Sequence, residues 1–325
     1  MKLLLLLLMV SCSTLTKDNE PRHATHDEKL IQVLLKRERY CDLSKKMYER
    51  DGYVNGKCDS LLFTALHSIG CGYVSLSQFE SKEEPGRYFR SPTHDCFIPP
   101  DTDNGSKSTL SRDMVLGLLL NFWHEQDLDG ITRFLNFSIA NDWDFCGGDA
   151  ISSGVRRARC IASPTIKATV YEVAVALGHA CNTTCKTARK VPQVWNPHED
   201  GFRAHLLNLH ILLRGVVMGA INDNQVEQLE YQARTNPKNA LYSATYHLFT
   251  DGDMAGAMSS LLDTNYFPIE TLPTSKNYCA EYLFQRDQFL EDTLDFDWLP
   301  CPEESIIHSG TDFIFAASIV LGDLK

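Results

Sequence analysis

From His26 onward, apolar residues recur at intervals of three and four, the spacing that lays a stripe along one side of an α-helix. His26 to Tyr40 carries Leu30, Ile31, Val33, Leu34 and Leu35, and Asp59 to Ile69 carries Leu61, Leu62, Leu66 and Ile69. The same pattern predicts helices over Ser111 to Glu125, Leu128 to Asn141, Thr165 to His179, Gly201 to Met218, Gln225 to Arg234, Asn239 to Phe249, Met254 to Leu262, Ala280 to Phe289 and Thr311 to Leu321. Ser111, Pro164-Thr165 and Asn224 stand where N-terminal caps belong, and Gly178, Gly219 and Gly322 stand near helix ends. The fold class that follows is all-α.

Four of these segments, Ser111 to Glu125, Thr165 to His179, Gly201 to Met218 and Thr311 to Leu321, are apolar almost all round and are buried only if surrounded. Leu128 to Asn141 and Gln225 to Arg234 are one-sided, as an outer layer would be. Inner helices wrapped by outer ones describe an α/α toroid-like domain. The alternative is an irregular α-solenoid, although no clean repeat of 34 to 40 residues emerges. A single domain is expected over residues 27–325. The stretch 72–110, with Pro85, Pro92, Pro99, Pro100, Gly86 and Gly105, is a long loop, either functional or stapled by Cys71 and Cys96 paired with each other or elsewhere.

The first residues break the helical pattern. Lys2 precedes an apolar run from Leu3 to Val10 that is far shorter than the roughly 20 residues a membrane-spanning helix needs. It reads as an export signal over residues 1–11. Met9-Val10-Ser11-Cys12 resembles the lipobox of bacterial lipoproteins. That resemblance implies cleavage before Cys12, lipidation of its thiol and acylation of the new amino terminus. Ser13 after the cysteine resembles the outer-membrane sorting signal of many Gram-negative bacteria. The polar residues from there to His26 form a flexible tether, 12–26 with the cysteine. The expected location is therefore the outer membrane, lipid-anchored and facing periplasm or cell surface, with outer-membrane lipid as the partner of Cys12. An ordinary secretory signal with later cleavage is the rival. The sequons at Asn104, Asn136 and Asn182 keep a eukaryotic secreted origin open.

Eleven cysteines in 325 residues point to an oxidising compartment, and setting Cys12 aside leaves ten, an even number for disulfides. The formal charge of −11 lacks the basic excess of nucleic-acid binders, so no nucleic-acid partner is expected.

Signatures of zinc proteases, serine hydrolases, phosphate loops and dinucleotide folds are absent, and neither cofactor nor metal is expected. Cys181-x-x-x-Cys185 lacks the second close pair of a zinc site, so its cysteines read as disulfide-bonded, with their partners open. The acidic run Glu125-x-Asp127-x-Asp129-Gly130 opens like a calcium loop, but Asn136 at its twelfth position cannot chelate, so it reads as a turn between helices. Asp101-x-Asp103-Asn104-Gly105 ends on Arg112 and fails likewise. Arg156, Arg157 and Arg159 beside Gly147-Gly148 read as a solvated basic loop rather than an anion site.

The richest constellation is Trp195-Asn-Pro-His198-Glu199-Asp200-Gly201-Phe202-Arg203 at the start of the longest apolar helix. Rotation places Arg203, His210 and Arg214 within about 20 degrees of one face. Ser111-Arg112-Asp113 and Ser309-Gly310-Thr311-Asp312 begin other inner helices. If those starts converge, Asp113, Glu199, Asp200 and Asp312 are acid/base candidates, and Arg112, Trp195, Arg203, His210 and Arg214 would hold substrate. Paired carboxylates suit glycoside hydrolysis, and a base with cations suits a polysaccharide lyase. The plainer account makes the acids helix caps and pairs the cations with carboxylates of neighbouring helices. Two functions stay open: a glycan-active hydrolase or lyase, and a non-catalytic envelope protein binding a peptide, glycan or partner.

The stretches Gly201-Phe202-Arg203-Ala204-His205, Tyr246 to Asp253 and Ser309 to Phe313 resemble uncharacterised bacterial helical proteins. That resemblance implies helices and no activity.

Overall fold

The computed structural model describes residues 24–54, 60–92, 110–145, 161–190, 201–265, 267–272, 274–275, 306–307 and 310–324, with backbone alone at 201–203 and in the two short strands. Among these the chain is all-α. Its helices are α1 (His26–Asp51), α2 (Ser60–Gly70), α3 (Arg112–Glu125), α4 (Leu128–Ala140), α5 (Pro164–Ala176), α6 (Thr183–Ala188), α7 (Gly201–Met218), α8 (Asp223–Thr235), α9 (Ala240–Phe249), α10 (Ala255–Leu262) and α11 (Thr311–Leu321). Two strands of two residues, β1 (Thr274–Ser275) and β2 (Ile306–Ile307), pair antiparallel. The predicted helix over Ala280 to Phe289 lies outside the described residues.

Boundaries follow local chemistry. Thr25 and Glu28 close a capping box at α1. Ser163 caps α5 with Pro164 in its first turn, and Asn222, not Asn224, caps α8. Asp127 accepts from the Gly130 amide at 2.8 Å, so this acidic turn serves as the cap of α4. Helix α1 runs eleven residues past the expected end at Tyr40. Its second half carries a thinner stripe, Tyr40, Leu43 and Met47, with Cys41 and Leu43 packed on the core, and is held as well by buried Ser44 and by the disulfide from Cys41 to Cys71. Helix α6, which the pattern does not predict, is nucleated by Asn182 and by the Cys181–Cys185 disulfide.

Contacts between α2, α3, α5, α7, α9 and α11 form a closed circuit: each touches the next and α11 returns to α2, while α3 also meets α7. Within the circuit, α2 runs parallel to both neighbours. Gly117 packs on Leu62 and Asn121 bonds Ser68; on the other side Thr311 bonds His67 and Ile314 packs on Gly70. A second parallel trio is α5, α7 and α9. Thr169 meets His210 and Glu172 meets Arg214; Asn208 meets Thr245 and Gly215 meets Phe249. The remaining helices lie against this circuit: α1 and α10 on α11, α4 on α3 and α5, α6 on α5, and α8 on α7 and α9.

The described part of the long loop is fastened rather than loose. Cys71 pairs with Cys41, so it is not bound to Cys96, which lies outside the described residues. Glu80 receives two hydrogen bonds from Arg133 of α4, at 2.7 and 2.9 Å, and one from the Gly86 amide at 2.8 Å. Burial alone would raise the Glu80 carboxyl, but the Arg133 guanidinium and the Gly86 amide outweigh it and hold it below its ordinary range.

Candidate functional site

Among the described candidate residues, Asp113 and Asp312 stand in the first turns of different helices. Arg112 is exposed at the start of α3, while Asp113 beside it is buried and accepts from the Ser111 hydroxyl. Asp312 is buried in the first turn of α11 and accepts from the Phe313 amide at 2.9 Å. Both carboxylates favour the positive ends of their helices.

The structure does not bring these two carboxylates together. Asn121 lies level with Ser68, which sets Asp113 beside the first turn of α2, whereas Thr311 lies level with His67, two turns further on. At 1.5 Å per residue the offset is roughly 12 Å along the axis, with α2 itself between the two helices. A hydrolytic pair needs about 5 to 9.5 Å. Trp195, Glu199 and Asp200 lie outside the described residues, as do Cys12 and the Arg156 to Arg159 cluster, and Arg203 is described only as a backbone position in α7.

On the remaining face of α7, two predicted substrate-binding residues have internal partners. Arg214 Nε and Nη2 donate to Glu172 of α5 at 2.7 and 2.8 Å, and Glu172 is 3% exposed. His210 Nε2 lies 2.6 Å from the Thr169 hydroxyl. Burial, reinforced by the Arg214 charge, pushes the His210 imidazole down to about 3. It stays neutral across physiological pH.

Two polar clusters escaped the sequence reading. Ser44, His67, Tyr73 and Thr311 form a buried relay: His67 Nε2 is 3.0 Å from Ser44 Oγ and 3.1 Å from Tyr73 Oη, and His67 Nδ1 is 3.1 Å from Thr311 Oγ1. A hydroxyl beside an imidazole suggests an activated nucleophile. Here Ser44 and His67 are both fully buried, a threonine stands where an orienting carboxylate would be, and burial depresses His67 to about 3. The relay joins α1, α2 and α11 as structure.

The second cluster surrounds Lys36. Its ammonium donates to the Leu261 carbonyl at 2.9 Å and lies 5.2 Å from the Phe313 ring centre and 5.8 Å from that of Phe267. Desolvation lowers its pKa to about 8, with Asp263 opposing. Lys36 sits on the Val33 to Tyr40 stripe, and Glu172 is the lone acid in an apolar helix. Those irregularities are the signals from which both could have been found. Among the described residues no group of three metal-ligating side chains is assembled, and no helix is long and apolar enough to cross a membrane.

The sequence matches no protein-family model, and no curated protein or solved structure resembles it significantly.

Proposed function

We propose that the protein is an exported lipoprotein, anchored through acylated Cys12, that binds an envelope glycan such as peptidoglycan without cleaving it. The closed circuit of six helices is taken as the inner wall of an α/α toroid, with α1, α4, α6, α8 and α10 outside. Export is supported by the lipobox-like Met9-Val10-Ser11-Cys12 and by the two disulfides, since such bonds persist in oxidising compartments.

One observation carries the non-catalytic reading: apart from exposed Arg112, the described polar side chains of the candidate site are engaged with their own fold. Arg214 is held by Glu172, His210 by Thr169 and Asp113 by Ser111. The buried histidines His67, His205 and His210 are depressed to about 3, well below the range useful for acid–base catalysis at neutral pH.

A glycan hydrolase is the second reading. It is favoured by the direct succession of Glu199 and Asp200 onto Gly201, the first residue of α7, which places two more acids at a helix start. Both readings are tested together by incubating the mature protein with peptidoglycan sacculi and with neutral and uronic polysaccharides. Co-sedimentation without released fragments supports binding. Fragments lost in Asp113→Asn or Glu199→Gln would establish the hydrolase, and neither sedimentation nor product would remove the glycan. Fractionation of Cys12→Ser tests the anchor separately: release from membranes is expected, and retention would overturn lipidation.

A further inference from the structure

The two described disulfides differ in what they do. Cys41 and Cys71 lie 30 residues apart and fasten α1 to the end of α2, so their bond closes a long loop in the unfolded chain. Cys181 and Cys185 lie four apart, across the start of α6. Loop-closure entropy grows with separation, so the second bond restrains the unfolded chain far less.

Its setting is also different. Cys185 is buried in the core, whereas Cys181 is half-buried at the core's edge, and Asn182, Thr183 and Thr184 between them are exposed. From His179 to Lys190 the sequence carries Lys186, Arg189 and Lys190 and no acid, in a chain whose net charge is −11. Lys186 is exposed and Arg189 half-buried. Positive charge beside a disulfide attracts an incoming thiolate and stabilises the departing one.

We propose that Cys181–Cys185 is a site of thiol–disulfide exchange for an exposed dithiol. A substrate thiolate attacks the Cys181 sulfur, forming a mixed disulfide and breaking the bond to Cys185, which leaves as a thiolate and takes a proton. The second substrate thiolate attacks the substrate's own sulfur in that mixed disulfide, and Cys181 departs as the second thiolate. The substrate is oxidised by two electrons to its disulfide, and the protein is reduced by two to the dithiol. Low-molecular-weight disulfide reverses the change. This proposal does not depend on glycan binding.

The test is equilibration of the full-length, oxidised protein in buffers of graded glutathione to glutathione-disulfide composition, followed by alkylation and peptide mass mapping. Cys41–Cys71 serves as the internal reference. Half-reduction of Cys181–Cys185 is expected at a thiol excess at least tenfold smaller than Cys41–Cys71 needs. A second arm uses Cys185→Ser, in which glutathione disulfide should cap Cys181, with folding checked by circular dichroism. A third incubates wild type with a reduced Cys-x-x-Cys peptide, of which up to one equivalent should be oxidised as Cys181–Cys185 opens. Equal resistance of the two native disulfides, or an unoxidised peptide, would overturn the proposal and leave Cys181–Cys185 as a clamp on α6.

Discussion

Arg214 of α7 grips Glu172 of α5 through two parallel hydrogen bonds, with Nε and Nη2 at 2.7 and 2.8 Å from the two carboxylate oxygens. The pair is nearly dry: the side chains are 15% and 3% exposed. Glu172→Ala leaves the guanidinium buried without its counter-charge, and the expected loss is about 3 to 5 kcal/mol in urea unfolding. The paired change Glu172→Leu with Arg214→Met removes both charges together and should cost far less. An equal loss in single and double variants would show that the pair acts by shape alone.

The buried histidines make stability sensitive to acid. His67, His205 and His210 titrate at about 3 in the fold against an ordinary 6.5, with burial the leading cause in each. Between those values the unfolded chain binds protons that the folded one refuses, so stability is intact above pH 6.5 and falls as pH falls toward 3. Each histidine withdraws on the order of 1.4 kcal/mol per pH unit in that window. Urea midpoints measured at descending pH should fall steeply below 6.5. His210→Asn should flatten the dependence, and an unchanged slope would exclude His210 as a contributor.

Lys36 acts at the opposite end of the scale. Its pKa is lowered to about 8 from 10.5, chiefly by burial, so the fold disfavours its charge and stability rises as pH increases from about 8 toward 10.5. Tyr73 opposes this above pH 10, because burial raises its phenol to about 12 while the unfolded chain ionises earlier. The melting temperature should therefore climb between pH 8 and 10 and then fall. Lys36→Met should abolish the climb; persistence of the climb would assign it to other groups.

Gly86 fixes the long loop to α4. Its φ is +89°, and an added Cβ would collide with the backbone carbonyl of Arg133. Gly52 has φ +76° with open space around it. Gly52→Ala should cost only about 1 kcal/mol, from the left-handed backbone. Gly86→Ala should cost at least twice that and open the 80–92 segment to limited proteolysis. Equal melting temperatures for the two variants would mean that the loop shifts off α4 without penalty.

The sequence by itself determined most of the described helices, α6 and the second half of α1 excepted, because apolar spacing and cap residues act over one or two turns. Ser163 before Pro164, Asn239 before Ala240 and Gly322 after Leu321 each mark a boundary by local hydrogen bonding or backbone preference. It also flagged His210 and Arg214 as polar groups on a buried helix. Only the tertiary structure decided what those groups face, since Thr169 and Glu172 lie 41 and 42 residues away in sequence and reach them through the packing of α5 on α7. The same holds for α1 beyond Tyr40, where a disulfide to Cys71 reinforces a sparse apolar stripe, and for Lys36, whose cage is closed by Leu261, Phe267 and Phe313. Helix periodicity is a short-range property of the chain. Which carboxylates, rings and thiols meet depends on long-range packing, in which many arrangements satisfy the same periodicity and only the mutual fit of side chains selects one.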